Sequence, residues 1–138
     1  MTAIKFASAT LPLLLILRQT PQAPAASILG TWRGTSTCAD KAHDTACHDE
    51  VVIYEFDSSA SARGPVRWVA DKVVNGTREN MGALRLQFDT MTHAWSIDFN
   101  TRIAVRWSLE PRGDHMVGTR VERPSGRIIR RVSVRRVR

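Results

Sequence analysis

From Ile28 onward, apolar side chains recur at every second position in short runs separated by turn residues, a pattern that predicts consecutive antiparallel strands rather than helices. A first strand is expected over Ile28 to Cys38, with Gly30, Trp32, Gly34 and Ser36 on one face and Thr31, Arg33, Thr35 and Thr37 on the other. The second covers Val51 to Phe56, with Val52, Tyr54 and Phe56 together, and the third runs from Val66 to Val74. Asn75-Gly76 then marks a tight hairpin, because both central residues of a type I′ turn need positive φ.

That hairpin makes Thr77 to Phe88 the partner strand, with Leu84, Leu86 and Phe88 inward and Gly82 marking a bulge or bend. Trp95, Ile97 and Phe99 alternate with polar residues in a fifth strand, and Ile103, Val105, Trp107 and Leu109 in a sixth, with Pro111-Arg112-Gly113 read as a turn. Met116 to Val121 and Ile128 to Val137 complete about eight strands with short connections. A chain of hairpins that long curls and closes to remove its edges, so the expected fold is all-β, an eight-stranded antiparallel up-and-down barrel.

Residues 1–25 do not fit this pattern and read as an export signal, leaving 26–138 as the barrel domain. Lys5 precedes a mostly apolar stretch from Phe6 to Leu17, and a Pro/Ala tail ends with Ala23-Pro24-Ala25-Ala26, small residues of the kind signal peptidase requires. The apolar run is shorter than the roughly 20 residues a spanning helix needs, so no membrane-spanning segment is expected. A disordered arm is the alternative for this stretch.

Two cysteines, Cys38 and Cys47, are the whole complement. In an exported chain an even count reads as one disulfide, with free buried thiols as the alternative. Closing so short a loop would stabilise the fold by about 2.5 to 3 kcal/mol in the chain-entropy account. The formal charge is +7, and removing Lys5 and Arg18 with the leader leaves about +5. Much of the excess sits in Arg127, Arg130, Arg131, Arg135, Arg136 and Arg138, which implies long-range attraction to anionic surfaces, an anionic envelope component or an acidic protein rather than specific nucleic-acid reading.

The run Ile28-Leu29-Gly30-Thr31-Trp32-Arg33-Gly34 resembles the Gly-x-Trp opening of lipocalins and related calycins, and the chain as a whole is most similar to compact lipocalin-like proteins exported by bacteria. The resemblance implies that Trp32 plugs one end of the barrel and that an arginine from the last strand stacks on it. Arg136 shares its face with Val132 and Val134 and is the candidate for that role, with Arg130 as the fallback. A guanidinium on an indole contributes about 0.5 to 2 kcal/mol, depending on desolvation.

Trp68, Trp95 and Trp107, with Leu84 and Leu86, are the candidate ligand-binding residues, although filling the core is the competing use for indoles in a small barrel. His43, Asp44, His48, Asp49 and Glu50 cluster near the cysteines without a standard metal-ligand spacing, so no metal and no cofactor are expected. No nucleophile elbow or paired-carboxylate cleft is legible, and the protein is not expected to be an enzyme. The expected function is that of an exported binding module that sequesters a small apolar or amphipathic ligand. The alternative is a barrel without a cavity that acts through its surface, inhibiting a secreted enzyme or binding an anionic envelope component.

Overall fold

Asn75 and Gly76 both adopt positive φ, 51° and 78°, and join two long strands of a closed antiparallel barrel. The computed structural model describes residues 27–58 and 64–138, and the segment read as an export signal lies outside them, as does most of the Ser/Ala loop before Val66. Eight strands follow one another: β1 Gly30–Cys38, β2 Glu50–Ser58, β3 Val66–Val74, β4 Thr77–Asp89, β5 Ala94–Asn100, β6 Ala104–Arg112, β7 His115–Glu122 and β8 Ile128–Arg136. Each pairs with the next, and β8 returns to β1 through Trp32↔Arg136 and Cys38↔Arg130, so no edge strand remains. No helix among the described residues is long and apolar enough to cross a membrane.

The alternation puts one face of every strand inside. Trp32, Val52, Tyr54, Phe56, Val66, Trp68, Leu86, Trp95, Leu109, Met116, Val132 and Val134 form a continuous buried cluster. Each such side chain, fully withdrawn from water, contributes about 1.5 to 3 kcal/mol or more. Two glycines on the inner face let the backbones approach: a Cβ at Gly34 would fall 2.1 Å from the Ser133 carbonyl oxygen, and one at Gly118 would fall 2.5 Å from Leu109 Cδ2.

Two boundaries differ from the sequence reading, each for a physical reason. Ile28 does not belong to β1, because Gly30 turns the chain at φ 106° and Ile28 instead folds under the barrel, fully buried. Pro111 and Arg112 continue β6 rather than turn, pairing with Met116 and His115. The β5 ladder on the other side of β6 stops at Leu109, so no neighbour requires the N–H that Pro111 lacks. The bulge expected at Gly82 is present: Ala70 stands opposite Gly82 and Asp71 opposite Asn80, so Met81 is the extra residue on β4.

One seam is short. β4 and β5 are paired only through Gln87↔Ser96, Phe88↔Trp95 and Asp89↔Ala94. Had this ladder continued, Leu84 would stand opposite Phe99; the bulge beside Gly82 bends β4 just beyond that level, and the two strands part.

Candidate functional site

The two ends of the barrel are built differently. At one end Trp32 is fully buried, its indole Nε1 donating to the Ile28 carbonyl at 2.8 Å. The Arg136 guanidinium lies 4.2 Å from the centroid of that ring and donates to the carbonyls of Leu29 and, at 2.8 Å, Ser27. A side chain at residue 30 would bring a Cβ to 3.3 Å from Arg136 Nη1, which is why glycine stands two residues before the tryptophan. This end is closed by backbone, indole and guanidinium together.

The other end holds a cavity of about 370 Å³, walled by Tyr54, Trp68, Leu84, Phe99 and Trp107 and flanked by Met81 and Gly82 at the unpaired part of β4. Tyr54 meets Trp68 edge-on with centroids 5.0 Å apart, and Trp68 meets Trp107 edge-on at 5.3 Å. Burial pushes the Tyr54 hydroxyl well above the usual phenol range, although a hydrogen bond with Ser36 opposes the shift, so the phenol stays neutral. A volume of this size lies within the range of small-molecule sites.

Of the residues singled out from sequence, Trp68, Leu84 and Trp107 line this cavity. Leu86 and Trp95 do not; both are fully buried in the packed core nearer the closed end. The inward parity assigned to them holds, but the interior at their level is filled by Leu109, Val66 and their neighbours.

Two arginines on the inner face complete the site, and neither was singled out as a ligand residue. The register Ile97, Trp107, Arg120, Arg130, Cys38 runs across five neighbouring strands, which sets both guanidinium groups on the cavity side. Their signal was parity: Arg120 alternates in step with Met116 and Gly118, and Arg130 with Val132 and Val134.

Arg130 is fully engaged. Its Nε donates to Ser36 Oγ at 2.8 Å, and Nη2 donates to the carbonyls of Ser36 and His48 and meets Glu50 Oε2 at 3.2 Å. Nη1 lies 3.2 Å from Cys47 Sγ. The Cys38–Cys47 disulfide therefore packs on this guanidinium and pins the β1–β2 loop to the open end, with the Ala39 amide donating to the Ile129 carbonyl at 2.9 Å. Arg130 is thus a strut at the mouth, at the opposite end from the Trp32 ring.

Arg120 is different. Its guanidinium carbon lies 5.7 Å from the Trp107 centroid, and its enclosed Nε has no hydrogen-bond partner. Burial, followed by the like charge of Arg130, lowers its pKa, while Asp44 opposes that shift without forming an ion pair. The indole N–H of Trp68 is likewise enclosed without an acceptor. Around the disulfide, Asp49 accepts from the Cys38 amide and from Lys41, and Glu50 is committed to Arg130. No group of three or more His, Cys, Asp or Glu side chains among the described residues is arranged to hold a metal ion.

Comparisons with family models, curated proteins and solved structures return no match. The functional reading therefore rests on the cavity and its lining.

Proposed function

We propose that the protein is a lipocalin-like binding barrel, exported to an oxidising compartment, that sequesters a small apolar or amphipathic molecule. The observation that carries this reading is the aromatic-walled cavity of about 370 Å³ at the end opposite the Trp32 plug. A barrel acting only through its outer surface gains nothing from an unfilled interior, which forfeits packing contacts along every wall. Export is supported by the Cys38–Cys47 crosslink and by the short apolar segment ahead of the barrel. The fold by itself assigns no ligand, so the lining residues decide the class.

Trp68 and Trp107 report directly on occupancy. Titrating the protein with alkanols, fatty acids and polycyclic aromatics should quench or shift indole fluorescence saturably, and Leu84→Trp, which fills the cavity, should abolish the response while Leu86→Met leaves it intact. A spectrum unchanged across the panel would remove the cavity reading and leave the surface. There Arg33 and Arg135 stand directly opposite each other on β1 and β8, a like-charged pair open to an anionic partner.

A further inference from the structure

Three charged side chains line the cavity: Glu50, Arg120 and Arg130. Glu50 and Arg130 form an ion pair at 3.2 Å, so their charges cancel within the wall. Arg120 is left as one uncompensated positive charge, with no hydrogen bond or ion pair to any described residue, held against the face of Trp107. Arg120 is only partly buried and lines the cavity with its Nε enclosed, so an anion entering the cavity meets a positive charge that no carboxylate of the wall has neutralised. The cation–π contact with Trp107 uses the face of the guanidinium and engages none of its N–H donors.

From this charge balance we infer, building on the cavity reading above, that the ligand is an amphipathic monoanion. Its single negative group sits on Arg120 and its apolar body lies among Tyr54, Trp68 and Trp107. A carboxylate or sulfonate can accept from the guanidinium fork. A dianion would carry one charge more than the wall can neutralise. A cation would meet Arg120 with no free carboxylate to receive it, because Glu50 is already paired. Asp44, the one acid acting on Arg120 from a distance, competes with the ligand's charge rather than completing the site.

Calorimetric titration with naphthoate, naphthol and naphthylmethylamine tests this, since the three share one apolar body and differ in charge. Naphthoate should bind at least tenfold more tightly than naphthol, as charge-assisted hydrogen bonds imply, and the amine should bind most weakly. Arg120→Met keeps the length of the side chain and removes its charge. It should erase the preference for naphthoate while leaving naphthol binding in place. Arg120→Lys should retain part of the preference, and Asp44→Asn should strengthen naphthoate binding alone. Equal affinity for naphthoate and naphthol, or a preference that survives Arg120→Met in a folded protein, overturns the inference while the cavity reading stands. If none of the three probes binds, both fall together.

Discussion

Two arginines of the inner face do opposite things, and their partners explain why. Arg136 has an indole under it and a carbonyl at each terminal nitrogen. Arg120 has only the indole. The first is therefore a structural lock. Arg136→Met should destabilise the protein by about 2 to 4 kcal/mol, combining the lost stacking with two charge-assisted hydrogen bonds, and should lower the melting temperature by about 10 °C or more. A change below about 0.5 kcal/mol in thermal unfolding would show that the closed end does not depend on the guanidinium.

At the scale of elements, the β3–β4 hairpin reaches past the seam and carries its own polar clasp. Asp71 accepts from Arg78 Nε at 2.9 Å, from Arg78 Nη2 at 2.6 Å and from Asn80 Nδ2 at 2.8 Å, and the same Nη2 also meets Glu55 at 2.9 Å. The hydrogen bond from Asn80, followed by that from Arg78, holds the Asp71 carboxyl below its usual value of 3.8. Because the folded-state pKa is the depressed one, the stabilisation is fully present above the unfolded value and is lost as the pH falls through the folded value. Asp71→Asn should cost about 1 to 3 kcal/mol at neutral pH. The stability gap between native protein and this variant should narrow as the pH is lowered below about 4. A gap that stays constant down to strongly acidic pH in urea titrations would contradict the clasp.

The whole molecule is a cylinder with one tight end and one weak seam. Closure through β1 and β8 satisfies backbone groups around the ring except where β4 and β5 separate, and cavity, bulge and seam all lie toward the same end. Amides facing the seam, on β4 before Gln87 and on β5 after Ser96, should exchange with solvent far faster than those shared by β7 and β8. Uniform protection around all eight strands would mean that the two strands pair in solution.

How much of this was legible differs by level. Strand number, order and the inside face follow from the two-residue period, which is a local property, so Trp32, Tyr54, Trp68, Arg120 and Arg136 are all inward by parity alone. The Gly-x-Trp signature and Val132-Ser133-Val134-Arg135-Arg136 are two ends of one chain, and closure brings them to a 4.2 Å stacking contact. The height of each inward residue along the axis was not legible, because it depends on the stagger between strands. For that reason Leu86 and Trp95 belong to the packed core while Leu84 and Trp107 line open space.

Alternation along the chain therefore determined the strands, their order and the side each residue faces, because pleating is local and each hairpin joins near neighbours. Only the tertiary structure decided which arginine is matched by Glu50 and which is left bare, and where the interior stays unfilled. Those outcomes depend on side chains from five strands meeting at one level, and no single stretch of sequence records that level.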